Sequence, residues 1–141
     1  MERELRSSNH SKHLILYHLI FVAKYRRKIF SNKDFSEGLK NRIIETSKKN
    51  NFEIETLELD YAKPDHIHLL VRSEPNYSPA QIVRLIKQDC NKWAWENYSD
   101  WLKGFYYKAH HLFTKSYFCC SCGNASAETI QNYINSQGGK K

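Results

Sequence analysis

Long apolar runs are missing from this chain. The longest stretch, Leu14 to Ala23, is interrupted by Tyr17 and His18, and it falls well short of the roughly 18 residues that a membrane-spanning helix needs. A secretory leader is missing as well, because Met1-Glu2-Arg3-Glu4 is charged and no apolar segment follows it. The expectation is a soluble, cytoplasmic protein without a membrane partner. Cysteine is scarce and badly spaced for cross-linking. Cys119, Cys120 and Cys122 crowd together, too nearly collinear to bridge one another within a strand, so they read as reduced thiols. Acidic residues are in deficit, with 15 Asp and Glu against 22 Lys and Arg and a formal net charge of +7. That imbalance points to an anionic partner, nucleic acid first, with a merely solvated basic face as the bland alternative.

Internal repeats and low-complexity tracts are also absent, and 141 residues suit one domain that buries roughly 70% of its unfolded surface. Residues 1–12 are polar and read as a flexible arm. From Leu14 to Val22 both alternating faces are apolar, the pattern of a strand covered on both sides. Asp34 is placed to cap a helix running to about Asn50, with Phe35, Leu39, Ile43 and Ile44 at helical spacing. Phe52 to Leu59 reads as a second strand, Lys63-Pro64-Asp65 as a turn, and His66 to Arg72 as a third strand. Ser78 and Pro79 open an amphipathic helix carrying Ile82, Leu85, Ile86 and Trp93 inward. Lys115 to Ser121 reads as a fourth strand, Gly123-Asn124-Ala125 as a hinge, and Ser126 as the cap of a helix over 126–137 ending at Gly138. The order strand, helix, strand, strand, helix, strand predicts an α+β, ferredoxin-like or RRM-like antiparallel sheet with two helices on one face. The last helix lies outside that plan, and the second sheet face needs a cover or a ligand.

The stretch DHIHLLV at 65–71 sets His66 and His68 among aliphatic residues. Side chains alternate along a strand, so both imidazoles share one face while Ile67, Leu69 and Val71 take the other. Two imidazoles two positions apart can converge on one cation, or they can simply be half-buried sheet residues. A third ligand from Cys119-Cys120-Ser121-Cys122 fits poorly, since structural zinc sites use paired cysteines. A zinc deaminase is excluded, because H-x-E followed by P-C-x-x-C does not occur. In the last helix Tyr133 and Gln137 stand four apart, on one face. A phenol can attack phosphorus and an amide oxygen can ligate a hard cation, although a tyrosine near Ile130 and Ile134 also suits a packed core.

The segments Y17-H-L-I-F-V-A-K-Y-R-R-K28, D65-H-I-H-L-L-V71, S78-P-A-Q-I-V83, Y117-F-C-C-S-C-G-N124 and E128-T-I-Q-N-Y-I-N-S-Q137 occur in this order at full-length spacing. From about Ser8 to Gln137 the chain resembles the small single-tyrosine HUH transposases of bacterial and archaeal insertion sequences. The resemblance implies an enzyme that cleaves and rejoins single-stranded DNA at hairpin-bearing element ends through a 5′-phosphotyrosine. It implies His66, His68 and Gln137 as ligands of Mg2+ or Mn2+, although imidazole more often suits zinc, copper, iron or nickel. It further implies Tyr133 as nucleophile, and a homodimer that exchanges its tyrosine helices. DNA contacts are expected from Lys24, Arg26, Arg27, Lys28, Lys87 and Lys92, and from Lys103 and Lys108, with aromatics available to stack unpaired bases. The rival readings are a domesticated relative acting on chromosomal repeat hairpins and a non-catalytic RRM-like module. The latter lacks any strand resembling K/R-G-F/Y-G/A-F-V-x-F/Y.

Overall fold

The computed structural model describes residues 5–8, 11–107, 111–121 and 127–137. Its centre is the pairing of a strand that the sequence makes largely apolar on both faces with one that is apolar on one face and carries imidazoles on the other. Strand β3 (Ile15–Val22) runs antiparallel to β5 (His66–Ser73), with Leu19 opposite Leu69, Ile20 opposite His68 and Val22 opposite His66. On the far side of β5 lies β4 (Glu53–Leu59), which has a bulge between Ile54 and Thr56; on the far side of β3 lies β6 (Phe118–Cys120). The order β4-β5-β3-β6, all antiparallel, is the ferredoxin-like arrangement.

Helices α1 (Lys33–Lys49) and α2 (Pro79–Asn97) cover one face of the sheet. Leu19, Phe21, Ile67, Leu69 and Val71 from the sheet meet Phe35, Leu39, Ile43, Ile82 and Ile86 from the helices in the main core. Ile44, expected on the packed stripe, is 37% exposed at its edge. A short α3 (Ser99–Leu102) follows α2 and inserts Leu102 beneath it. On the opposite face α4 (Ala127–Ser136) lays Ile134 on Ile20 and Val22, so the second face is covered from within the chain.

Three local expectations change. Residues 1–12 are not wholly a loose arm, since β1 (Arg6–Ser8) and β2 (Ser11–His13) pair as an antiparallel hairpin. The cap of α1 is Asn32, whose side chain accepts the Phe35 amide, because the buried turn at Ile29 and Phe30 delivers the chain to the helix two residues earlier; Asp34 instead accepts the Tyr98 hydroxyl. The fourth strand is shorter than expected. The carbonyls of Thr114, Lys115 and Ser116 turn toward the Lys87 ammonium, and a carbonyl committed there cannot join the ladder. The expected hinge at 123–125, its cap Ser126 and the stop at Gly138 lie outside the described residues. By contrast α2 begins as its sequence reads, with Pro79 in the first turn and a reciprocal capping box between Ser78 and Gln81.

Gly38 lies where α1 crosses α2. A Cβ there would stand 2.7 Å from Trp93 Cη2 and 2.8 Å from Cζ2, and the indole is itself packed on Phe35 and Tyr98. At an open helical site Gly→Ala gains up to ~1 kcal/mol. Here overpacking, typically ~1–3 kcal/mol, reverses the sign, so Gly38→Ala should lower the urea unfolding midpoint. A raised midpoint would show that Trp93 yields freely.

Candidate active site

The outer face of β5 carries His66, buried, and His68, half-buried, with ring centroids 4.9 Å apart. The preceding Asp65 is also buried, at the end of the Pro64 turn. His66 Nδ1 lies 2.7 Å from Asp65 Oδ1, and Arg26 Nε donates to Asp65 Oδ2 at 3.2 Å. Burial alone would raise the Asp65 carboxyl, but the bonds and charges of His66 and Arg26 outweigh it and hold the group below its ordinary value. A carboxylate held at Nδ1 fixes the ring of His66 and leaves Nε2 as the nitrogen available to a ligand, the arrangement that commonly orients a metal-binding imidazole. His68 is lowered to about 4, first by burial and then by the neighbouring His66 and His18. It is therefore neutral near pH 7, with a lone pair to offer.

His18 completes the row. It stands on β3 diagonally across from His68, and its ring stacks there at 5.7 Å and 28°. Burial lowers its pKa against the opposing pull of Glu58, and its Nδ1 is buried without a hydrogen-bond partner. Among the described residues no group of three or more His, Cys, Asp or Glu is placed to hold a metal ion. The pair His66 and His68 thus fits as part of a cation site, with His66 oriented by Asp65 and His68 neutral, that needs a donor from elsewhere.

Helix α4 lies over the same face. Tyr133 packs its ring 5.8 Å from Phe118, while its hydroxyl lies 3.1 Å from Ser116 Oγ. Ser116 in turn donates to Gln137 Oε1 at 2.8 Å, which leaves its oxygen to accept from the phenol. The turn carrying Ser116 is fixed from behind by Lys87, whose Nζ reaches Thr114 O at 2.7 Å and Ser116 O at 3.0 Å. Burial lowers Lys87 to about 8. Across the sheet His68 faces Ile20 and Ile20 faces Phe118, so the phenol lies on the β6 side. Among the described residues neither Tyr133 nor Gln137 bonds or stacks with His66 or His68. One face holds all four, in two separate groups.

The basic segment is used partly inside the fold. Tyr25 and Arg26 both adopt positive φ, 61° and 54°, a left-handed backbone costing roughly 1–2 kcal/mol per residue. This turn brings Arg26 onto Asp65, and Lys24 and Arg27 flank the Tyr25 ring at 5.4 Å and 5.9 Å. Lys87, expected at DNA, is engaged by backbone carbonyls; Lys28, Lys92 and Lys103 are exposed. Lys108 and Cys122 lie outside the described residues. Sequence reasoning missed Asp65, His18 and Ser116. Adjacency to His66 signals the first and parity along β3 the second, whereas nothing local signals Ser116.

Fold and site together define a ferredoxin-like domain with an imidazole-bearing sheet face and a tyrosine-bearing helix laid over it. The chain belongs to the family of IS200-like transposases, whose model matches residues 11–137. It is 27% identical over 125 residues to the ISDra2 transposase TnpA of Deinococcus radiodurans, covering 89% of this chain and 85% of that protein. It is 28% identical over 134 residues to the transposase for insertion sequence element IS200 of Salmonella typhimurium, covering 94% and 82%. In fold it is similar to a solved structure from Deinococcus radiodurans R1 assigned as a transposase, with TM-score 0.83 and 24% identity over 96% of this chain and 99% of that one. It is also similar to a REP-associated tyrosine transposase bound to a REP hairpin, with TM-score 0.54 and 14% identity over 91% and 68%.

In metal-free protein, unfolding lets His68 take up a proton near pH 6.5, whereas the folded chain takes it up only near pH 4. Between these values the unfolded state binds more protons, so stability falls as pH drops through that window and is flat above it. His18 shifts in the same direction. Urea midpoints at pH 7.5 and pH 5 should therefore differ less for His68→Asn than for the parent; an equal difference would assign the acid sensitivity to other groups. Ser116→Ala, which removes both side-chain ties at the end of α4, should speed amide exchange in α4 and leave β3 unchanged. No change in α4 would mean that Ile134 alone holds it.

Proposed function

We propose that this protein cleaves and rejoins single-stranded DNA at hairpin-bearing ends through a 5′-phosphotyrosine on Tyr133. The observation that carries the reading, beside family membership, is the sharing of one sheet face by a close imidazole pair, one ring oriented by a carboxylate, and a tyrosine helix. His66, His68 and Gln137 are the residues to hold a divalent cation, Mg2+ or Mn2+. Such an ion, when bound, polarises the scissile phosphate and positions it. Asp65 fixes the ring of His66, and Arg26 fixes Asp65. Tyr133 Oη attacks phosphorus, the bond from phosphorus to the 3′ oxygen breaks, the phenol proton is given up, and the departing oxygen ends as a 3′-hydroxyl. One phosphodiester replaces another, so a 3′-hydroxyl can attack the phosphotyrosine in reverse without ATP. A phenol of pKa near ~10 leaves readily enough for that step.

In the single chain Ser116 holds both Tyr133 and Gln137, on the far side of β3 from the histidines. Either α4 shifts across its own face or a second copy supplies it, and this requirement supports a homodimer with exchanged tyrosine helices. A plain RRM-like module is disfavoured, because the face that would stack bases is covered by α4 and carries imidazoles. A domesticated relative would use the same chemistry, and likeness in fold to the REP-associated protein does not favour it.

With Mn2+ and a single-stranded hairpin oligonucleotide carrying its flanking sequence, the protein should form a covalent adduct retained on a denaturing gel. Tyr133→Phe should abolish the adduct and keep DNA binding within about twofold, while His66→Ala should lower cleavage by at least the ~10²-fold typical of losing a positioned catalytic group. Cleavage by the Phe variant would dismiss Tyr133 as nucleophile.

A further inference from the structure

Behind the turn that holds Tyr133 lies a groove on the helical side of the sheet edge. It has a volume of about 480 Å³, within the roughly 300–1,000 Å³ of sites that seat one small ligand. We propose that this groove seats one unpaired nucleotide of the DNA strand. The inference rests on the reading of the protein as a single-strand DNA enzyme and adds a second contact site to it.

The lining has the chemistry of a single-strand site. Half-buried Tyr117 supplies an aromatic wall over a floor of buried Val83, Leu112 and Phe113; Arg84, Lys92 and Lys115 are exposed at it, and among the described residues no carboxylate lines it. Among the described residues none of these three cations is in an ion pair, so their charge is free for phosphate. Lys87 adds positive potential from within and lies 5.8 Å from the centre of the Tyr117 ring. Asn91 accepts the Leu112 amide through Oδ1, which leaves its NH2 to donate to a base edge. A basic rim over an aromatic wall is the general form of a single-strand binding groove. A stacked, paired base cannot enter a lateral groove without first leaving its duplex, so the site selects unpaired DNA over a stem.

Position links the groove to the reaction. Lys115 and Tyr117 line it, while Ser116 between them bonds the Tyr133 hydroxyl and Gln137 on the other side. The wall between groove and phenol is one chain segment thick. A strand crossing this edge has one base in the groove and a neighbouring phosphate at Lys115, on the side of β3 where Tyr133 rests, so the seated nucleotide belongs to the single-stranded flank and lies a strand's width from the histidine pair.

The test uses the full chain as Tyr133→Phe, which cannot cleave, with fluorescein-labelled dT20 and a blunt hairpin duplex lacking single-stranded flanks. Arg84→Glu with Lys115→Glu should weaken dT20 binding about tenfold or more and hairpin binding less than twofold, and lower the dT20 salt slope by about 1.4, the value for two phosphate contacts. A dT20 carrying 5-bromodeoxyuridine should photo-cross-link to the peptide containing Phe113 or Tyr117, and Tyr117→Ala should diminish that product. Cross-links elsewhere with unchanged dT20 affinity overturn the inference, as does equal weakening of both DNAs. A change of oligomeric state in the charge-reversed variant would mark the groove as an interface between copies and overturn it too. If the parent chain still forms its Tyr133 adduct when these tests fail, the groove alone is wrong. Should the groove cross-links appear without any adduct, the proposed cleavage chemistry fails and the groove stands.

Discussion

Eight consecutive residue pairs join β3 to β5, and their register decides where every chemical group of the outer face stands. Because side chains alternate, a slip of one residue would turn His66 and His68 into the helical core and push Ile67, Leu69 and Val71 outward. The register is locked because both sides of the pair are occupied by different chemistry. Leu19, Phe21, Ile67 and Leu69 fill the core under α1 and α2, and each fully buried side chain contributes roughly 1.5–3 kcal/mol. The same register sets His18 against His68 and makes Ile20 and Val22 the seat of Ile134. Core packing thus positions the imidazoles without any contact to them.

Electrostatics refine what packing places. Burial lowers the pKa of both His18 and His68, and for His68 the neighbouring imidazoles His66 and His18 add to it, which favours the neutral His68 ring that can donate a lone pair. Of these three, only His66 is tied through its ring to a carboxylate, and that carboxylate is shared with Arg26 from a left-handed turn. The strain at Tyr25 and Arg26 has a structural return, since an extended chain from Val22 would carry Arg26 away from Asp65. A run of basic residues that looks like an undivided phosphate-binding patch is therefore split by function, with Arg26 facing inward and Lys28 facing solvent.

Much of this was legible in order and alternation. Apolar residues on both faces of 15–22 and the same-face histidines required no knowledge of packing, and Ser78-Pro79-Ala80-Gln81 spelled out a helix start through local bonds. What could not be read depended on groups distant in the chain. The shortening of β6 follows from Lys87, twenty-seven residues before Thr114, and a lysine on a helix face gives no sign that three carbonyls will satisfy it. The choice of Asn32 over Asp34 as cap depended on a buried Phe30 that fixes where the chain enters the helix. His18 was on the correct face by parity, yet its neighbour could be found only once the register was known. For Ser116, a hydroxyl in an irregular segment, the informative partners lie seventeen and twenty-one residues away.

The separation of Tyr133 from the histidines bears on how the proposed reaction is controlled. Among the described residues the contacts of α4 with the sheet include well-buried Ile134, partly buried Ile130 and Tyr133, and two exposed bonds to Ser116. Together these amount to a few kcal/mol, on the order of 2–5, which is small beside the core formed by the other two helices. Movement of the helix, which the proposed reaction needs, would leave that core intact. A second copy's α4 would bury the same Ile134 on the same Ile20 and Val22, so exchange between copies changes the contacts little and the energy little, as in other swapped elements. On the proposed reading, a divalent cation at the histidine pair would compete with the exposed Ser116 hydroxyl for the Gln137 amide oxygen, and Tyr133, on the same helix face, would move with it. Under that proposal, substrate binding and assembly of the nucleophile would be one equilibrium, and the fastening of α4 would set how readily substrate shifts it.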